Sequence, residues 1–300
     1  MKINIGTRGS KLALAQANIV QDLLREKYPD ITINIITIKT TGDKILEKNL
    51  NEIGGKGLFI KEIEEHLIEG KIDIAVHSMK DMPAFINEAF EIPCILKRED
   101  SRDAFISYSY KRISQLPEGA VVGSSSPRRV AQLLNARPDI KVVPFRGNIH
   151  TRLEKLKNKE VDATFLAMAG LIRAGINGDN INPIDENEML PAVAQGAIGI
   201  EIRKNDENIR EILSELNHCR TYECVMAERA FLEEFEGSCR TPIGASAKIS
   251  CEEMSIKFMV ASIDGTKLFK TERVCKINNA LNASVDAAKE LKLKAGNIFL

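Results

Sequence analysis

The chain has 300 residues, a length that suggests two or three domains. Hydrophobic residues make up 44% of it, enough to fill sizeable cores, which excludes wholesale disorder. Its 42 Lys and Arg balance 42 Asp and Glu, which excludes a globally basic nucleic-acid coat protein and an acidic tail protein.

The first half alternates strand and helix. Residues 2–6 read as a short strand, after which Ser10 caps a helix with Leu12, Ala15, Ile19 and Leu23 at helical spacing. Residues 31–38 are β-branched and strand-like. Residues 58–69 carry Ile60, Ile63 and Leu67 on one helical face, with Gly70 as a stop. Residues 72–76 read as a strand buried on both faces. This order predicts a parallel, helix-covered sheet.

The pattern restarts near residue 100. Strands are predicted at 120–123, 140–145 and 163–167, and helices at 127–135 and 149–156, with helical material on to about 175. Pro183 and Pro191 bracket a loop, followed by a strand at 197–202 and a helix at 206–216. Beyond 219 the texture changes: a helix at 222–235, three successive strands at 245–250, 255–263 and 267–274, and a helix at 280–293. Asp264-Gly265 is a hairpin-turn dipeptide, so the last part is an antiparallel α+β domain. The longest uncharged apolar stretch, 163–172, is far short of the roughly 20 residues that span a bilayer. No basic-then-apolar leader precedes the first strand, and six irregularly spaced cysteines do not make a disulfide framework. The expectation is a soluble, cytoplasmic protein with no membrane partner.

The overall charge balance hides a local asymmetry. Residues 123–159 hold nine Lys or Arg against two acids. A run such as Lys155, Lys157, Lys159 fits a solvated face. Arg128 and Arg129 differ, because Ser126 reads as an N-cap and Pro127 as the first helical residue, which sets guanidiniums beside free helix N–H groups. Arg146-Gly147-Asn148 with Arg152, and Thr7-Arg8-Gly9-Ser10, repeat the arrangement after other strands. Three such turns point to an anion site, and paired arginines suit a polycarboxylate. Nucleic acid competes as the ligand, but aromatics are only 5% and Trp is absent. Gly54-Gly55-Lys56-Gly57 could cradle an anion or be a plain tight turn.

The segment His77-Ser78-Met79-Lys80-Asp81 follows the buried strand. There Asp81 can hold a developing cation or shuttle a proton, or it can cap a turn and pair with Lys80. His77 reads as a hydrogen-bonded structural residue. Cys239 lies in a loop beside Arg240, where a thiol can be exposed with a lowered pKa or be without function. Cys94 falls in an apolar strand and reads as inert. A zinc site from His218, Cys219, Cys224 and Cys239 is disfavoured, since Cys219 and Cys224 do not share a helical face.

These segments together resemble the porphobilinogen deaminase family. The resemblance rests on Thr7-Arg8-Gly9-Ser10-Lys11-Leu12-Ala13-Leu14, Gly54-Gly55-Lys56-Gly57-Leu58-Phe59, Val76-His77-Ser78-Met79-Lys80-Asp81-Met82-Pro83 and Gly123-Ser124-Ser125-Ser126-Pro127-Arg128-Arg129. It continues in Arg146-Gly147-Asn148 with Thr151-Arg152-Leu153, Gln195-Gly196-Ala197-Ile198-Gly199-Ile200-Glu201, Ala227-Glu228-Arg229-Ala230-Phe231 and Gly237-Ser238-Cys239.

The resemblance implies two periplasmic-binding-protein-like α/β domains around a cleft and a smaller C-terminal α+β domain with a three-stranded antiparallel sheet. The implied boundaries are 1–98 with 196–217, 99–195, and 218–300. It implies a transferase that condenses four porphobilinogen molecules head to tail, releasing ammonia and then hydroxymethylbilane. The chain would grow on a dipyrromethane cofactor held by a thioether to Cys239. Asp81 would be the catalytic carboxylate, stabilising an azafulvenium cation, binding pyrrole N–H groups and moving protons. Arg8, Arg128, Arg129, Arg146, Arg152 and, by family position, Arg173 would neutralise substrate carboxylates, with Ser10, Lys56, Lys80, Ser126 and Gln195 also in the binding set. A monomer is implied, with porphobilinogen as the small-molecule partner and product passed to the next enzyme of the pathway. Pro127, Ser238 and Glu52 depart from the family pattern, so no substrate role is carried onto Glu52. The competing readings are a two-lobed binding protein for a dicarboxylate or phosphate, and an RNA-binding protein using 123–159.

Overall fold

Contacts divide the chain into two units, Met1–Arg98 with Ala197–Tyr222, and Glu99–Gly196 with Glu223–Leu300. The computed structural model describes residues 1–41, 60–236 and 241–296. No helix in those segments is long and apolar enough to cross a membrane.

The first unit is built on β1 (Lys2–Arg8), β2 (Thr32–Ile38), β3 (Ile74–Ser78), β4 (Phe90–Ile95) and β10 (Ile198–Arg203), in the order β2-β1-β3-β10-β4. β1 runs parallel to β2 and β3, but β10 is antiparallel to both its neighbours. The expected all-parallel sheet is therefore mixed, because β10 enters only after the chain has built another sheet and returned. One face is covered by the helix Lys11–Lys27, opened by Ser10, whose hydroxyl accepts the Ala13 N–H. Its buried residues are Gln16, Ala17, Val20 and Leu24, and Ile19 and Leu23 of the predicted stripe pack half-buried against the same core, so the two overlap on one broad apolar face. Ile3, Ile5, Val20, Leu24, Ile74 and Ile200 close this core. On the other face the helix Lys61–Ile68 buries Ile63 and Leu67 against Ile38, Ile72 and Phe90.

The second unit repeats the topology. β5 (Asp103–Ile106), β6 (Val121–Gly123), β7 (Lys141–Val143), β8 (Ala163–Ala167) and β9 (Ile181–Pro183) lie in the order β7-β6-β8-β5-β9. β6 is parallel to β7 and β8, whereas β5 is antiparallel to β8 and β9. Each sheet thus has three parallel strands, one reversed strand and an outer strand, in the same spatial sequence. Two α/β domains, one mixed sheet in each unit, are part of what the resemblance implied. The strand expected over 140–145 stops at Val143, since Pro144 has no N–H to give a ladder. Pro183, expected to open a loop, instead ends the outer strand β9, where a missing donor is tolerated.

The C-terminal part forms the antiparallel sheet β11 (Ile243–Ser250), β12 (Glu253–Ala261) and β13 (Leu268–Lys276), covered by the helix Ala280–Ala295. Phe231, from the helix Cys219–Glu234, stacks on Phe258 with ring centroids 4.4 Å apart. That helix begins three residues before its predicted start, at Cys219.

Gly196 sits at φ +90°, and a Cβ there would lie 2.6 Å from the backbone oxygen of Glu99. A Gly196→Ala variant should therefore lose about 1–3 kcal/mol of stability through backbone strain. Urea unfolding checks this, and an unchanged midpoint and slope would contradict it.

Candidate functional site

In the first unit, β1 ends at Arg8, β3 ends at Ser78, and a short 3₁₀ turn, Met79–Asp81, follows. These strand ends line one pocket with Arg8, Ser10, Gln16, His77, Ser78 and Asp81 on its wall. Gln16 and Ser78 bond reciprocally, Nε2 to Oγ at 2.8 Å and Oγ to Oε1 at 3.0 Å, which fixes the wall between the first helix and β3. Asp81 is exposed rather than buried, and makes no hydrogen bond or ion pair with any described residue. The turn-capping reading fails on the same ground, because Met82 N–H bonds the Met79 carbonyl without help from Asp81.

His77 meets Glu201 on β10, Nε2 to Oε2 at 2.9 Å, with both side chains buried. The structural reading of His77 thus has a definite partner. Glu64, on the helix Lys61–Ile68, is pushed up to about 7 by burial and by the charge of Glu201, with His77 acting in the opposite direction. No sequence signal singled out Glu64, and Glu201 entered only as the last residue of the segment 195–201. They lie 137 positions apart, and packing of the helix Lys61–Ile68 against β10 brings them together.

In the second unit the helix Pro127–Ala136 starts at Pro127, as predicted. Ser126 occupies the cap position but its hydroxyl makes no capping bond. The neighbouring Ser125 accepts the Phe145 N–H at 2.9 Å and Ser124 the Ser126 N–H at 3.3 Å, so these hydroxyls tie the turn rather than the helix. By contrast, Asn148 caps its helix by accepting the Thr151 N–H.

Arg128 and Arg129, expected to face an incoming anion, both engage Asp103. Arg128 Nη1 donates to Asp103 Oδ2 at 2.7 Å, and Arg129 donates to Oδ1 from Nε at 3.0 Å and Nη2 at 2.7 Å. Gln195, also expected in the binding set, donates to the same Oδ1 at 3.0 Å. The reason is physical: Asp103 is 0% exposed, and a buried carboxylate without partners is untenable. Burial raises its pKa, but the two guanidiniums overcome that and hold it well below the ordinary carboxylate value.

One carboxylate does not neutralise this cluster. Arg152 is half-buried, its Nε bonded to the Gly147 carbonyl at 2.8 Å, and its pKa is pulled down to about 10 by burial and by the charge of Arg129. Arg146 has no partner among the described residues. Arg173 is lowered by burial, partly offset by Glu99, and its Nη2 donates to the Gly196 carbonyl at 2.6 Å. Lys80 is half-buried beside Asp81. Cys94 is buried and its thiol is pushed up to about 12, as an inert core cysteine should be. Lys56 with its glycines, and Cys239 with Arg240, lie outside the described residues.

The geometry defines an α/β protein with an acid-bearing pocket in one unit and surplus guanidinium charge at the strand-to-helix turns of the other. Its family follows from comparison with known proteins. Residues 3–211 match the family model for the porphobilinogen deaminase, dipyromethane cofactor binding domain, and residues 222–293 match that family's C-terminal domain. Porphobilinogen deaminase of Alkaliphilus metalliredigens is 50% identical over 90% of this chain and 85% of its own. The Paracoccus denitrificans porphobilinogen deaminase is 48% identical over 98% and 94%, and the chloroplastic one of Oryza sativa 48% over 99% and 85%. The chain belongs to the porphobilinogen deaminase family.

Asp103→Asn should leave two buried guanidiniums without a counter-charge and cost about 3–5 kcal/mol, measurable by urea unfolding. Because the folded pKa of Asp103 is depressed, its contribution is complete above the ordinary value of 3.8 and is lost as pH falls below it. The wild-type protein should thus lose that increment in acid and the variant should not. Glu64 is the opposite case. Its raised folded pKa means wild-type stability declines as pH rises from 4.5 through about 7. Glu64→Gln should therefore be more stable than wild type at pH 8, with the gap shrinking towards pH 4.5 in parallel melts.

Proposed function

We propose that the chain acts as a hydroxymethylbilane synthase, a cytoplasmic, monomeric transferase of tetrapyrrole biosynthesis that joins four porphobilinogen molecules and releases ammonia at each step. The observation that carries this reading is the cluster of Arg128, Arg129 and Arg152, in which Asp103 engages Arg128 and Arg129 while Arg152 feels the charge of Arg129. Half-buried positive charge without matching acid calls for an external anion. Porphobilinogen brings two, an acetate and a propionate, and each condensation adds two more.

The same donor set fits a dipyrromethane, whose rings carry acidic side chains. When bound, that group supplies the pyrrole end to which new rings are joined. Arg146 and Arg152 would hold its carboxylates, with the uncapped N–H groups of the helix Pro127–Ala136 as further donors. Arg128, already committed to Asp103 through Nη1, has its Nε and Nη2 without bonds to described residues. Arg173, Lys56, Lys80, Ser126, Arg8 and Ser10 complete the binding set. Cys239 would anchor the group by a thioether, a bond that survives repeated aqueous chemistry at neighbouring carbons. Asp81, exposed on the pocket wall, would face the cation that forms when ammonia leaves, and accept from pyrrole N–H groups. Product would then pass to the next enzyme of the pathway.

A mass spectrum of the purified, denatured protein tests the reading. The expected result is the added mass of a dipyrrole, mapped to Cys239, in protein made with porphobilinogen available. An unmodified chain that makes no tetrapyrrole would overturn it. Asp81→Asn should retain that added mass yet lose about 10²-fold or more in turnover. Near-normal product formation would remove Asp81 from the mechanism.

A further inference from the structure

His77 and Glu201 form a buried pair that the charge-holding role of Asp81 does not use. On the antiparallel strands β3 and β10, His77 stands opposite Gly199 and Ala75 opposite Glu201. The two side chains are therefore diagonal neighbours on one sheet face. The Nε2–Oε2 distance is 2.9 Å, and the side chains are 7% and 0% exposed. A carboxylate at Nε2 fixes the proton on that nitrogen and leaves Nδ1 as the basic one. Nδ1 has no hydrogen-bond partner among the described residues, and the ring forms part of the wall that also carries Asp81. Glu201 Oε1 is buried with no partner, so His77 is its one hydrogen-bonding neighbour among the described residues. The charged groups facing the ring are Glu201 from β10, Glu64 from the helix Lys61–Ile68, and, on the pocket side, Arg8 and Asp81.

The condensation needs a second proton acceptor. The C–N bond of the aminomethyl group breaks, and its electron pair leaves with ammonia. A free pyrrole α-carbon then forms the new C–C bond to the cationic methylene. That carbon next gives up its hydrogen as H⁺, and the C–H electron pair restores the aromatic ring. A carboxylate that neutralises the cation takes this proton only by giving up its own charge. We propose that His77, its Nε2 held by Glu201, accepts at Nδ1 the proton released by the condensing ring, which leaves Asp81 free to hold positive charge. The imidazolium so formed is paired with Glu201, and it returns the proton through the pocket to solvent. This inference rests on the activity proposed above and adds a residue to it.

His77→Gln is the discriminating variant, because the amide nitrogen can keep the bond to Glu201 while nothing replaces Nδ1. Expected is a fall in kcat of about 10²-fold with KM little changed. A kinetic isotope effect should also appear with porphobilinogen deuterated at its free α-carbon, as proton removal becomes rate-limiting. Independently of turnover, the ¹⁵N spectrum of the wild-type protein at assay pH should show His77 protonated at Nε2 and bare at Nδ1. A protonated Nδ1 overturns the proposal. So does a variant within a few-fold of wild type, or one that slows without an isotope effect, which would mark the pair as a structural tie. If the variant does not fold, the ¹⁵N spectrum decides alone. Wild-type protein that makes no tetrapyrrole would sink the activity itself, whereas an active wild type beside an unimpaired variant sinks this inference only.

Discussion

The guanidiniums of Arg128 and Arg129 are held against one fully buried carboxylate, and the chemistry of the second unit is organised around that contact. Asp103 opens β5, the strand that runs against its neighbours, while the arginines open the helix after β6. The contact therefore links the reversed strand to the turn where an anion would bind. Gln195 and the carbonyls of Phe165 and Leu190 add bonds from other segments. A lone carboxylate at that depth would cost several kcal/mol. The two arginines remove the penalty and overshoot it, leaving positive charge in excess. Stability and anion affinity thus come from the same residues, and a change to Asp103 alters both.

Similar sequence can serve different ends at successive turns. Ser10 and Asn148 each take a backbone N–H of the helix they precede. Ser126 makes no such bond, while the adjacent serines tie down the loop. Helix N-terminal donors without bonds among the described residues, beside cations that no described acid neutralises, have the field an anion requires. Capping the helix internally would have weakened that field.

Much of the fold was legible in the sequence because periodicity reports burial directly. The helix 149–157, the strand 163–167 and the three C-terminal strands follow from apolar spacing and turn residues. Sheet direction was less legible: β10 is as apolar as a parallel strand, and its reversal is set by where the chain returns from. β5 escaped because four residues beginning with an aspartate carry no recognisable pattern. Asp103 was missed for that reason, and with it the fact that Arg128 and Arg129 are already engaged. Motif order singled out Asp81 and the arginine turns. It gave no hint of the His77–Glu201 pair, since residues that distant in the chain meet only through strand pairing.

That pair bears on how one pocket handles two kinds of charge. Asp81 is exposed on the pocket wall, where approaching positive charge can reach it directly. Glu201 is fully buried and is hydrogen-bonded to His77, which lines the pocket. A group meant to stay charged gains from solvent, whereas a group meant to gain and lose a proton gains from a fixed tautomer and a partner that steadies its charged form. The pocket supplies both environments within a few residues of one strand end. The spacing between His77 at the end of β3 and Asp81 at the close of the following turn is what lets a single loop present them together.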